Sequence, residues 1–207
     1  MHQDLVELVG RTKGFMPELE GRALHRSAAS AALARPGLPL LEVGSYCGKS
    51  AVWIGSAASF AGAVLFTVDH HRGSEENQAG WEHHDLELED GRTGRMDTFP
   101  FFRRTIEEAG LERTVIAVVG ASTTVASHWS TPLSFLFIDG GHAEDVAWAD
   151  YKAWVPKVTQ GGILAIHDVF PDPAEGGRPP YELYRHALTD GFTETSQQGS
   201  LRVLRRS

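Results

Sequence analysis

Apolar residues fall into two rhythms along this chain. In one they form short, nearly unbroken runs: PLLEVG (39–44), AVLFTVD (63–69), TVIAVVG (114–120), SFLFID (134–139) and GILAIHD (162–168). In the other they recur every three or four positions, as in DLVELVG (4–10), LHRSAASAALA (24–34), KSAVWIGSAASFA (49–61), FFRRTIEEAGL (101–111), AEDVAWADYKAWV (143–155) and YELYRHALTD (181–190). The first rhythm predicts strands covered on both faces, the second predicts helices. Residues 1–36 read as helical up to the break RPGLP, after which strands and helices alternate. FTETS (192–196) and LRVLRR (201–206) read as a closing antiparallel hairpin. Such alternation predicts a single doubly wound α/β domain with a mostly parallel, seven-stranded sheet. Two segments stand outside the pattern: a long polar insert, residues 70–98, and the Pro/Gly-rich loop FPDPAEGGRPP at 170–180.

Composition narrows the partners. The 207 residues suffice for one substantial core rather than two. A net charge of −8 argues against electrostatic binding of nucleic acid. The lone Cys47 excludes an internal disulfide framework and a Cys-rich zinc site, and it reads as a small packing residue. No basic-then-apolar leader opens the chain and no apolar stretch approaches ~18 residues, so the expectation is a cytoplasmic protein without membrane insertion.

The chemistry gathers where strands end. The first run gives Glu42-x-Gly44-x-x-x-Gly48, without the middle glycine that lets backbone approach a dinucleotide pyrophosphate. A carboxylate at that strand end suits a ligand carrying an ammonium or hydroxyls. The second run ends in Asp69, where such folds set an acid against ribose hydroxyls. The third ends in Gly120-Ala121-Ser122, the fourth in FIDGGH with Asp139 and His142, the fifth in AIHDVF with His167 and Asp168. A glycine turn alone fits any strand–helix junction, and a serine near a helix start is often only a cap.

Taken together these strand ends resemble the class I S-adenosylmethionine-dependent methyltransferases, over residues 38–205. The resemblance implies that Glu42, Gly44 and Gly48 line the methionine end of the donor, with Ser45 and Ser50 as helpers. Asp69 would take the ribose hydroxyls; Gly120, Ala121 and Ser122 would sit near the adenine, and Asp139 near the reacting methyl.

The second group, Asp139 and His142 with His167 and Asp168, resembles the metal-dependent O-methyltransferases that act on sugars in macrolide and aminocoumarin pathways. Those carry an acid after the fourth strand and an adjacent acidic pair after the fifth; here His167 occupies the first position of that pair. The implied ligands of a magnesium or manganese ion are Asp139, Asp168 and, less directly, His167, manganese gaining if the imidazole ligates. The plainer reading is that Asp139 only contacts donor and His167 and Asp168 only close the strand. His142 is the expected general base, because an aliphatic hydroxyl does not lose its proton unaided at neutral pH, and His167 is its rival. The runs HDVFPDPAEGGRPPYELY, DHHRGSEENQ and GSLRVLRR are further similar to 1-O-methyltransferases of methylmannose polysaccharide synthesis.

The insert holds His70, His71, His83 and His84 without a metal-spacing motif, and its length suggests a lid or substrate loop. Glu75, Glu76, Asn77 and Trp81 would suit a polyhydroxylated acceptor, with Arg92 and Arg95 closing over it and Arg178 and Tyr181 as the opposite rim. RPPY (178–181) looks like the signature of amino-methylating DNA enzymes, but it follows the fifth strand rather than the fourth, and Arg178 stands where a carbonyl is needed. The expected function is sugar O-methylation, on a small-molecule or oligosaccharide acceptor, with a homodimer as the candidate assembly. The alternatives are a catechol- or phenol-type methyltransferase and a cofactor-binding module without catalysis.

Overall fold

The fold, taken from a computed structural model, is described for residues 2–74, 85–141, 143–172 and 174–207. Seven strands form one sheet: β1 (Leu40–Val43), β2 (Leu65–Asp69), β5 (Val115–Val119), β6 (Leu133–Ile138), β7 (Val158–Ile166), β8 (Phe192–Gln198) and β9 (Leu201–Arg206), in the order β5-β2-β1-β6-β7-β9-β8. The first five in this order pair in parallel, while β9 runs antiparallel to both β7 and β8. The expected doubly wound sheet with its antiparallel hairpin is therefore the observed one. The chain steps outward from β1 to β2 to β5, then returns to lay β6 on the other side of β1. Order reverses there, which opens a crevice at the carboxyl ends of β1 and β6.

Each sheet face has its own helices and its own core. On one side α1 (Gln3–Arg11), α2 (Glu18–Ala34), α3 (Lys49–Phe60) and α4 (Phe99–Glu108) cover Leu40, Leu65, Val115, Phe135, Phe137, Ile163 and Ala165. On the other, α5 (Ser122–Ser127), α6 (Glu144–Trp154) and α7 (Arg178–Thr189) cover Leu41, Val43, Val68, Leu136, Ile138, Leu164 and Ile166. Strand side chains alternate between faces. Glu42, Asp69, Asp139 and His167 thereby fall in the files of Leu40, Leu65, Phe137 and Ala165, all toward α1–α4.

Three details differ from the sequence reading. The helical stretch 1–36 breaks at residues 12–17, where Gly14 takes φ +143° and Pro17 precedes α2. Between β5 and β6 stands α5, whose STTVAS sequence has weak helix propensity and buries only Ala126. Within the insert, β3 (Glu89–Asp90) and β4 (Arg95–Met96) form a two-stranded ribbon. Leu88 and Met96 pack it onto Cys47 of the glycine turn.

Candidate active site

The turn after β1 is held open by backbone conformation. Gly44 and Gly48 take φ +84° and +92°, and a Cβ on Gly44 would lie 2.2 Å from the Asp139 carbonyl oxygen. The ends of β1 and β6 thus touch through backbone alone, and only glycine fits between them. Among the described residues, the non-glycine positions in the left-handed region are Tyr46, His71 and Asp168, which follow β1, β2 and β7 at this same edge. Strained backbone of this kind concentrates at functional sites.

Asp69 organises the turn. Its Oδ2 accepts the N–H groups of Ser45 and Tyr46, each at 2.9 Å, and its Oδ1 accepts that of His71 at 2.7 Å. A carboxylate offers about four acceptor positions. Three are taken by backbone, and the Ser45 hydroxyl also reaches Oδ2 at 3.5 Å, which leaves at most one position, on Oδ1, rather than the pair expected for two ribose hydroxyls.

Glu42 is the opposite case. Its carboxyl is fully buried, and among the described residues neither oxygen has a hydrogen-bond partner within bonding geometry. Burial pushes its pKa well above the usual carboxylate range; the nearby Ser50 hydroxyl relieves this a little, and Asp139 and Asp69 add to it. A buried orphan carboxyl is costly, and a cationic ligand group would remove the cost.

Beyond β6 and β7 lies a compact charged group. His167 Nδ1 stands 3.1 Å from Asp139 Oδ1 and 3.3 Å from Asp168 Oδ1, and the ligand atoms of the three residues all lie within 4.8 Å of one another. Its other nitrogen, Nε2, meets Glu20 Oε2 at 2.6 Å. Burial alone would lower the His167 pKa, but Asp139, then Asp168 and Glu20, outweigh it and hold the imidazole well above its ordinary range. Glu20 comes from the first turn of α2 and was not among the sequence candidates. An acid in a helix's first turn reads as a favourable charge on the helix dipole, so no local signal marked it.

Gly120 donates its N–H to the Asp69 carbonyl, which brings the β5 and β2 ends together. Ala121 precedes α5, and Ser122 Oγ accepts the indole N–H of Trp154 at 2.7 Å. Asp150 of α6, buried and with its pKa raised by that burial, also faces Ser122. With Asp139, Gly140, Gly141, His167, Pro180 and Leu183 it lines a small cavity beside the charged group. Pro180 is what RPPY contributes here, at the start of α7; Arg178 lies over the Tyr181 ring at 4.4 Å and pairs with Glu182.

Of the insert residues, His71 is buried, bonds Thr98 Oγ1 at 2.8 Å and packs on Phe99 and Phe102. His70 accepts from the Arg72 N–H, Arg92 pairs with Asp90, and Arg95 lies in β4. Burial pushes the Cys47 thiol up to about 12, in keeping with a packing role. His142, His83, His84, Glu75, Glu76, Asn77 and Trp81 lie outside the described residues. The linker before α2 also crosses this edge: Lys13 pairs with Asp85 and Glu87, and Phe15 packs against Tyr46 with ring centroids 5.8 Å apart.

Residues 41–169 match the sequence family described as a methyltransferase domain. The chain belongs to that family. Its fold is similar to that of the O-methyltransferase NovP, at 16% identity and TM-score 0.67, over 90% of this chain and 79% of that one. An O-methyltransferase from Bacillus cereus, solved in complex with SAH, matches at 16% identity and TM-score 0.65, over 100% and 92%. CalS11, a TDP-rhamnose 3'-O-methyltransferase of calicheamicin biosynthesis, matches at 13% identity and TM-score 0.64, over 98% and 92%. Among the described residues, no helix is long and apolar enough to cross a membrane.

Proposed function

We propose that this methyltransferase takes its methyl group from S-adenosylmethionine and delivers it to a sugar hydroxyl, with a divalent ion assisting. The observation that carries the reading is the Asp139–His167–Asp168 group, set at the carboxyl edge beside the glycine turn. Glu42 supports the donor assignment, because its orphan carboxyl is what an amino-acid ammonium would satisfy. Two carboxylates and an imidazole suit a divalent ion such as manganese or magnesium, which when bound would orient the acceptor hydroxyl and make it more acidic.

The methyl carbon leaves the sulfonium sulfur and bonds to the acceptor oxygen, S-adenosylhomocysteine departs, and the hydroxyl proton passes to a base. His142 is the base in this reading. His167 has both nitrogens turned to carboxylates of the charged group and is not placed to take the proton of an acceptor hydroxyl. Asp139 and Asp168 would hold the ion, Asp69 one ribose hydroxyl, and the loop from Gly120 to Ser122 the adenine. A narrower version takes the 1-OH of a methylated mannoside as the acceptor.

One observation favours a second reading. Phe15 and Leu19 are 61% and 64% exposed in and beside the linker that crosses this edge, and Leu86 is also exposed. An apolar rim suits the flat ring of a catechol or phenol. Mass spectrometry of products from a panel of sugars and catechols, with and without chelator, decides between them. The expected result is a singly methylated sugar (mass gain of one CH2), no product in chelator, and turnover about 10²–10⁴ lower in His142→Ala. Product only from catechols would move the assignment to the second reading, and full activity in chelator would remove the metal.

A further inference from the structure

Glu20 and His167 are 6% and 3% exposed, and they make the shortest contact in the charged group. The carboxylate is anchored from a second direction as well. Ser200, in the turn between β8 and β9, donates its N–H to Glu20 Oε1 at 2.9 Å and its hydroxyl to Oε2 at 3.2 Å. Gly199 lets that turn close on the acid, since a Cβ there would lie 2.0 Å from Oε1. On the helix side, Gly21 lets α2 lie against Trp53 of α3. The acid therefore has one position available to it, fixed by α2, α3 and the hairpin.

An imidazole that ligates a metal through one nitrogen is usually oriented by a carboxylate or carbonyl on the other. Glu20 stands in that relation to His167: it engages Nε2 and leaves Nδ1 directed at Asp139 and Asp168. We infer that Glu20 is the positioning residue of the site, fixing the His167 ring so that Nδ1 serves as a divalent-cation ligand beside the two aspartates. It acts through His167 and touches neither donor nor acceptor. The inference rests on the metal-assisted reading above and names a residue that reading does not require. A purely structural Glu20, tying α2 to the hairpin, is the rival.

The test is a titration of the full chain with Mn²⁺ alone, following free ion by electron paramagnetic resonance, alongside donor affinity and thermal unfolding. Glu20→Gln removes the charge and cannot accept from both His167 Nε2 and the Ser200 N–H with its two ends, so the charge-assisted hold on the ring is weakened. The expected outcome is a Kd for Mn²⁺ about 10- to 100-fold weaker with donor affinity unchanged. In a His167→Ala background the same substitution should add no further loss, because both act through one ring. Should Glu20→Gln fail to fold, Glu20→Asp keeps the charge, shortens the reach and should give the same loss. Mn²⁺ affinity within twofold of the parent in a folded Glu20 variant overturns the inference and leaves the metal reading standing. A full, independent loss added to that of His167→Ala overturns it too. No Mn²⁺ binding by the parent chain overturns the metal reading and this inference together.

Discussion

At the scale of single residues, Glu42 and Asp69 make contrasting predictions. An unfolded chain gives up the Glu42 proton near pH 4.3. The folded chain keeps it to higher pH because burial disfavours the charge. The folded state therefore binds more protons across that window, and its stability falls as pH rises through it. Glu42→Gln should raise the Tm of donor-free protein near neutral pH, by about 2–4 °C for each kcal/mol relieved, with the gain shrinking as pH falls toward the ordinary glutamate range. The same variant should bind donor about tenfold more weakly, since the ammonium loses a charged partner. An unchanged melting temperature with unchanged donor affinity contradicts both roles. Asp69→Ala should weaken donor binding by about 1.5–3 kcal/mol, or about ten- to a hundredfold, and should also lower Tm. The second effect follows from the three backbone N–H groups that lose their acceptor. Calorimetry and a melt on one sample separate the two: weaker binding without a lower Tm leaves Asp69 to the donor, the reverse leaves it to the turn.

Between elements, close approach decides what local propensity cannot. Gly10 in α1 and Gly21 in α2 are both helical glycines, and replacement by alanine normally stabilises a helix by about 0.5–1 kcal/mol. Nothing lies within 4 Å of a Cβ at Gly10, whereas one at Gly21 would sit 2.2 Å from the Trp53 indole nitrogen. Gly10→Ala should therefore be stabilising and Gly21→Ala destabilising by about 1–3 kcal/mol. Denaturant unfolding of the two variants checks this, and effects of equal sign would mean that α2 and α3 part easily. The same distinction marks what could be read from the chain. The strand runs were legible because a parallel strand covered on both faces has no choice but to be apolar. The helix α5 was not: its six residues have no apolar stripe, and its tertiary anchors are Val125 and Ala126 against the core and the Trp154 bond to Ser122 across the fold. Gly44 was legible as a turn glycine, but only the β6 backbone shows why a Cβ cannot enter there.

Across the whole molecule, the first 36 residues belong to the core of one sheet face. Leu8 and Val9 of α1 and Leu24, Ala28, Ala31 and Ala32 of α2 are buried in the same cluster as Trp53, Ala57, Phe135 and Ile163. A chain starting at residue 37 should lose cooperative unfolding and bind a hydrophobic dye, because α2 would no longer cover its part of that face, over β6, β7, β8 and β9. A sharp thermal transition for the shortened chain would show that the sheet stands without them. The sequence by itself determined the order of strands and helices, the glycine turn and the acids at the strand ends. Those features are local: periodicity and strand termini are written in neighbouring residues. It also supplied Asp139, His167 and Asp168 as a group, since adjacent parallel strands bring their ends to one edge. Only the tertiary structure decided that Asp69 is largely spent on the turn and that Glu42 is buried without a hydrogen-bond partner among the described residues. It alone placed Glu20 against His167, 147 positions away, and against Ser200, 180 away. Contacts at such separations depend on how α2 packs across the sheet, and that packing is fixed by the shape of the assembled core.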